Sequence, residues 1–464
     1  MKKSISILFI VFYLQVNAQY TKLFDFAGVP AGRSPYASLF YDGTFLYGST
    51  IQGGVSDSGI IYKIKPDGTG YTKLFDFTGP NGSSPQATLI SDGTFLYGTT
   101  YSGGAYNVGV VYKIKPDGSG FTKLLDFNGT NGSQAYGALF YDGTFLYGMA
   151  SGNSTNYNSV NTGYGVIYRL KPDGSGDTVL FQFNGASGNK PSGSLISDGT
   201  YLYGMAMQGG SSSFCSYPDG CGTIFKIKPD GSGFTKLHDF NGPSGSLPTG
   251  SLLFIGDTLY GVTEDGGTYH GVVFSLKTDG TAFTVLHNFI AGQGVYPVCS
   301  LVYDSTYLYG TTLDGGANYS GSIFRIKPDG TGGVDLFDNF TYTNGTFPIG
   351  ALVYDGTCFY GITGSGGIKD SGVIYKFCAG TYGINKFTQK NQPAIYPNPA
   401  GSKIVIEANY TADVKLFDIT GKQLLQQTVT GTTTIDVSQL ENGVYFIQLK
   451  SGEGVSTQKL IVQH

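Results

Sequence analysis

Tryptophan is absent from the chain, and histidine (4), methionine (4) and cysteine (5) are scarce among its 464 residues. Charged side chains make up only 13%, with a formal net charge of −4. A nucleic-acid binder gathers Lys and Arg into a basic patch, so this balance argues against that class. His238, His270, His287 and His464 fall at no zinc-ligand spacing, so no metal and no cofactor is expected. Without tryptophan the Asp-box pattern of sialidases is unfilled. No Gly-x-Ser-x-Gly elbow follows a strand, no Ser/His/Asp order stands out, and no phosphate-binding loop occurs. Most aspartates sit in Asp-Gly turns, where they cap the turn rather than pair for glycoside hydrolysis. The chain is therefore not expected to be an enzyme.

Glycine, by contrast, fills 73 positions, and Tyr (35) and Phe (32) are abundant. Much of this belongs to one unit. Residues 41–48 read Tyr-Asp-Gly-Thr-Phe-Leu-Tyr-Gly, and residues 141–148 repeat them letter for letter. The motif returns with drift at 91–98, 197–204, 255–261, 303–310 and 354–361, closing on Gly48, Gly98, Gly148, Gly204, Gly261, Gly310 and Gly361. Seven copies at a period near 50 residues signal a propeller, solenoid or array in which no unit buries its apolar face alone.

Each copy holds four strand-like runs. In the first, 37–41 and 45–50 flank Asp42-Gly43, a two-residue hairpin signal. The run 59–65 follows a Gly/Ser loop, and Pro66-Asp67-Gly68 turns into 71–77. Four antiparallel strands repeated around a ring describe a propeller blade. First strands open with Pro and carry a small residue two places on, from Pro35/Ala37 to Pro348/Gly350, with Ala135/Gly137 departing at the Pro. Small residues suit a strand crowded against an axis. A fourth-strand motif at 21–26 precedes every other element, while the seventh copy stops at its third strand, 372–377. Placing the first in the last closes a seven-bladed ring and hides an edge. The expected fold is all-β: a seven-bladed β-propeller over 19–378 closed by its N-terminal strand, a linker over 379–393, and a small β-sandwich over 394–464.

The start of the chain reads as a secretory signal over residues 1–18: Lys2 and Lys3, a short apolar stretch, then Val16-Asn17-Ala18. The apolar stretch is too short to span a bilayer, which takes about 20 residues, and no other segment could cross one. Export to an oxidising compartment fits two disulfides. Cys215 and Cys221 flank a turn sequence, and Cys358 and Cys378 lie on neighbouring strands. Cys299 is left as a buried hydrophobe.

The consensus Leu-Tyr-Gly-Thr-Thr, a Gly-Gly loop, Gly-Val-Val-Tyr-Lys-Ile and Pro-Asp-Gly, with Ser-Pro-x-x-x-Leu ahead of it, resembles the GloVer tandem repeat of bacterial exported proteins over residues 20–378. That resemblance implies a propeller-like repeat and no established activity. The last 70 residues resemble a type A C-terminal sorting domain of the type IX secretion system. The matching segments are Tyr396-Pro397-Asn398-Pro399, residues 416–421, Glu441-Asn442-Gly443-Val444-Tyr445-Phe446, and Lys459 with the three residues after it. The resemblance implies recognition by the secretion machinery after Sec export to the periplasm. Release or attachment at the outer surface follows.

With a rigid ring, recognition is expected on the face carrying the second-to-third loops, which vary most between copies. The candidate binding residues there are Tyr106, Tyr157, Tyr164, Tyr217, Tyr269, His270 and Tyr319, with Glu264, Asp265 and Asp314. Aromatic, Asn-rich loops suit a glycan or a surface protein. The expected role is a secreted or surface-displayed binding module. The alternatives are a structural surface or adhesin protein without a discrete ligand and a polysaccharide-active enzyme.

Overall fold

The hairpin between first and second strands is locked by its aspartate. Oδ1 of Asp42 accepts from the amides of Thr44 and Phe45, both at 2.7 Å, and Oδ2 accepts from the Tyr47 hydroxyl at 2.9 Å. Asp92, Asp142, Asp198 and Asp355 receive the same three bonds. Burial opposes their ionisation, but the donated bonds outweigh it and hold all five carboxyls below their ordinary pKa. A folded-state pKa below the unfolded one stabilises the fold above the unfolded value of about 4, and that contribution is lost as pH falls through the folded value. Thermal melts should therefore hold steady near neutrality and fall steeply below about pH 4, with the fall flattened when Asp42 and Asp142 are both changed to Asn. A melting temperature indifferent to pH down to about 2.5 would contradict this assignment.

A computed structural model describes residues 19–152, 163–212, 215, 220–290, 294–337, 340–379, 394–418, 422–451 and 454–464. Two compact units result, Met1–Gly380 and Thr381–His464, and the described residues contain strands but no helix. In the first unit seven antiparallel sheets share one four-strand plan, propeller-like in its repetition. The first copy uses Leu46–Gln52, Ile60–Ile64 and Thr72–Asp76 as second to fourth strands. Its first strand is split into Arg33–Pro35 and Phe40–Tyr41, both paired to Leu46–Gln52. In the fourth copy the first strand runs through as Asn189–Ser197 but slips register between Ser192 and Ile196. Each first strand leaves its own ladder here because it presses on the neighbouring sheet. A Cβ on Gly137 would lie 1.6 Å from the Gly193 carbonyl oxygen, and one on Gly193 would lie 1.7 Å from that of Gly250.

One bond recurs at every junction between sheets. The amides of Ser84, Gln134, Lys190, Leu247, Tyr296 and Phe347 donate to the carbonyls of Ser58, Val108, Tyr164, Cys221, His270 and Ser320 in the preceding copy. The Ser34 amide makes the same bond to the Ser371 carbonyl at 2.9 Å, joining first copy to seventh. All seven donors hold φ between 51° and 58°, a region that costs a non-glycine residue energy and so is retained for the bond it permits. Beside that junction, Gln19–Asp25 lies antiparallel on Val373–Cys378, with Gln19 opposite Cys378 and Asp25 opposite Val373. Disulfides join Cys358 to Cys378 and Cys215 to Cys221, and Cys299 is free and buried.

The glycine closing each Leu-Tyr-Gly is fixed by space rather than by φ. The tip of a third-strand aromatic ring fills its Cβ position: Tyr62 over Gly48, Tyr112 over Gly98, Tyr168 over Gly148, but Phe225, Phe274 and Phe324 over Gly204, Gly261 and Gly310. The hydroxyls of Tyr62, Tyr112 and Tyr168 are buried without a hydrogen-bond partner. Such a group costs about 1–3 kcal/mol, and the fourth to sixth copies omit it. Changing all three to Phe should leave the melting temperature unchanged or raise it. A drop of several degrees would show instead that the hydroxyls are satisfied by buried water.

The second unit departs from the expected sandwich. Its strands Ala394–Tyr396, Lys403–Phe417, Gln423–Asp436, Gly443–Ser451 and Gly454–Val462 form one sheet. Lys403–Phe417 runs as one long strand with a bulge between Ala408 and Thr411. Bulges bend a strand and deepen its twist, so this sheet curls into a half-barrel instead of crossing into a second layer. Its curl brings Ala400 to Val462, with the Ala400 amide donating to the Ile461 carbonyl at 2.7 Å. Ile404, Ile406, Val414, Leu416, Ile447 and Leu460 fill its interior.

Candidate functional site

The displaced first strands surround a cavity of about 1070 Å³. Every one of the seven contributes to its wall, through residues 36–38, 86 and 88, 136–138, 192–194, 249–251, 298–300 and 349–351. The first strands also tie themselves to one another. The amides of Ser194, Ser251 and Ala351 donate to the hydroxyls of Ser251, Ser300 and Ser38 at 2.7–2.8 Å. The last of these again links the seventh copy to the first. The second strands and the loops after them add Tyr101, Tyr164, Met207, Glu264 and Leu313.

The wall is uneven. The residue after each first-strand Pro is Tyr36, Gln86, Tyr136, Ser192, Thr249, Val298 or Ile349, the third copy having Ala135 for Pro. Aromatic and amide side chains thus come from the first three copies, small or aliphatic ones from the others. Tyr101 and Tyr136 stand with ring centroids 4.9 Å apart at 50°. Among the described residues, Lys190 and Glu264 are the charged residues of the wall. Burial, then the nearby Asp265, pushes the Glu264 carboxyl up from its ordinary pKa, and burial, then the charge of Glu264, does the same to the Tyr36 phenol.

Of the residues expected from sequence, Tyr164 and Glu264 border this cavity. Tyr106, Tyr269 and Tyr319 stand on outer loop tips, exposed to 57%, 81% and 81%, and are not part of its wall. Asp265 and Asp314 accept from the amides of Gly266 and Gly315, the capping task that Asp57 performs on Gly53 in the first copy. His270 packs edge-on to Tyr296. Tyr157 and Tyr217 lie outside the described residues. Tyr36, Gln86, Tyr101 and Tyr136 also line the cavity and were not among the residues expected from sequence. The signal for three of them was a variable position held between two constrained ones, the Pro place and the small residue.

In the C-terminal unit the separated motifs meet along one edge. The Asn398 side-chain oxygen accepts from the Ile461 amide at 2.8 Å, and that of Asn442 accepts from the His464 amide at 2.7 Å. The buried Tyr445 donates its hydroxyl to the Glu441 carbonyl at 2.8 Å, Tyr396 donates to Glu407, and Lys459 pairs with Phe446 across the ladder. Pro397 and Pro399 flank Asn398, and Gly443 opens the strand that carries Tyr445.

Residues 10–214, 154–270 and 215–402 match the Gloeobacter/Verrucomicrobia repeat, and residues 394–463 match the secretion system C-terminal sorting domain. The sorting domain marks a secreted or cell-surface protein that engages the type IX machinery. Among the described residues no helix is long and apolar enough to cross a membrane. No curated protein matches the chain. Among solved structures, an oligogalacturonate lyase in complex with manganese is similar at 14% identity and a TM-score of 0.53, over 79% of this chain and 94% of that one. The extracellular domain of a hybrid two component system from B. thetaiotaomicron is similar at 9% identity and a TM-score of 0.50, over 96% of this chain and 57% of that one. A puromycin-hydrolyzing peptidase of Mycobacterium tuberculosis gives 12% and 0.50, over 84% of this chain and 61% of that one. At these identities the likeness is one of fold.

Proposed function

Because the chain belongs to the Gloeobacter/Verrucomicrobia repeat family and ends in a secretion system sorting domain, we propose that it is an exported binding module with its recognition site in the axial cavity. In this reading the N-terminal segment directs Sec export and the type IX machinery releases the protein or attaches it at the surface. The seven sheets close as one seven-bladed propeller, with the N-terminal strand completing the last blade. The observation that carries the reading is the cavity wall: seven first strands supply a scaffold tied by main-chain bonds, and the side chains facing the space differ from copy to copy. A rigid frame with varied convergent groups is what a binding pocket requires. In this reading the role is recognition: among the described residues one carboxylate, Glu264, borders the cavity, whereas glycoside hydrolysis uses two.

The test is an array of glycans and surface-protein extracts probed with the mature chain and with a Gln86→Trp variant that puts a bulky ring in the cavity wall. Binding lost in the variant supports the cavity. Equal binding by both moves recognition to the outer face. A second reading, a structural surface or adhesin protein, is favoured by the exposed apolar residues at loop tips, Val55, Tyr106, Tyr269, Tyr319 and Ile368. In that case the variant should self-associate or adhere as the natural chain does.

A further inference from the structure

Resting on the cavity as the binding site, we propose that its ligand is a neutral oligosaccharide seated with a sugar face against Tyr101 and Tyr136. Three features of the wall select this class. The first is charge: among the described residues the wall carries one cation, Lys190, and one anion, Glu264, and no arginine. Carboxylate, phosphate and sulfate groups are held by clustered cations, above all bidentate Arg. An acidic polymer finds no such cluster here.

The second is the state of the backbone. A peptide bound in extended form gains its affinity from free main-chain donors and acceptors on a strand edge. The innermost strands do not offer their full set. The amides of Ser194, Ser251 and Ala351 are already bonded to serine hydroxyls of the neighbouring strand, and Gly137 and Gly193 press against the next strand's carbonyl.

The third is the pairing of aromatic faces with uncharged hydrogen-bonding groups. Tyr36 is 40% exposed, and with Tyr101 and Tyr136 it lines the same cavity as Gln86 and Gln134. A pyranose ring presents C–H groups on its face and hydroxyls around its rim. The electron-rich face of Tyr attracts the former, and side-chain amides donate to and accept from the latter. The volume, about 1070 Å³, is at the upper end for small-molecule pockets, which suits a chain of several sugars better than one.

Titration calorimetry on the mature full chain would use cellohexaose, laminarihexaose, xylohexaose and mannohexaose as neutral probes and hexagalacturonate as the acidic one. At least one neutral probe should bind, with affinity little changed by raising the salt to about 0.5 M, because charge pairs contribute little. Tyr136→Ala should weaken it tenfold or more and Tyr136→Phe should bind like the natural protein, both melting within a few degrees of it. Tyr101→Ala should repeat the loss if Tyr136→Ala proves unstable. Tighter binding of hexagalacturonate, no binding by any neutral probe, or full affinity in both Ala variants would overturn the proposal. If Gln86→Trp nonetheless abolishes binding of an acidic glycan or a protein, the cavity stands as the site and only the ligand class falls.

Discussion

Deleting residues 21–26 should lower the melting temperature by about 10 °C or more, or prevent folding of the repeat unit. The segment supplies the fourth strand of the last sheet, paired to Val373–Cys378 along its length. Phe26, 1% exposed, packs with Leu39, Tyr62 and Tyr360, side chains drawn from the first and last copies. Loss of one buried Phe side chain costs about 3–5 kcal/mol, and each kcal/mol is worth about 2–4 °C in a chain of a few hundred residues. The deletion also removes the Asp25 carboxylate that accepts from the Ile368 amide and the Lys22 amine that donates to the Thr343 carbonyl. Since Gln19 lies opposite Cys378, moving the strand to follow Cys378 through a Pro-Asp-Gly turn recreates the hairpin of the other copies and should restore stability. Calorimetry decides it. A deletion that melts with the natural protein would mean that the repeats do not depend on this closure.

Removing residues 459–464 should abolish export and leave the protein in the periplasm. Those residues contain Leu460 and Val462, each 1% exposed, and the two amides received by Asn398 and Asn442. Their loss opens the sheet where it curls back on Ala400. Fractionation of cells carrying the truncation gives the answer, and a normal surface or medium yield would count against the sorting assignment. Asn442→Ala, which removes one bond and leaves the core intact, should give a partial defect. That distinguishes a misassembled edge from an unfolded domain.

The sequence by itself determined the repeat, its strand count and its turns, because each depends on neighbours a few to about fifteen residues away, Gly48 and Tyr62 among them. Asp42 caps its own hairpin, Gly48 admits an aromatic ring from the next strand, and Pro66-Asp67-Gly68 reverses the chain wherever the copy lies. The sorting motifs were legible for the same reason, as short fixed strings. Only the tertiary structure decided which side chains share the cavity. Tyr36, Gln86 and Tyr136 are about 50 residues apart, and nothing local shows that they face one space, since their convergence is set by how the sheets press together at Gly137, Gly193 and Gly250. The task of Asp314 was equally hidden, because a binding carboxylate and a glycine cap are the same letters, and its bond to the Gly315 amide appears only in the structure. The C-terminal half-barrel was hidden likewise. A bulge at 408–411 and a corner between layers interrupt the alternation of side chains in the same way, and which of them occurs is fixed by pairing with strands up to 40 residues distant.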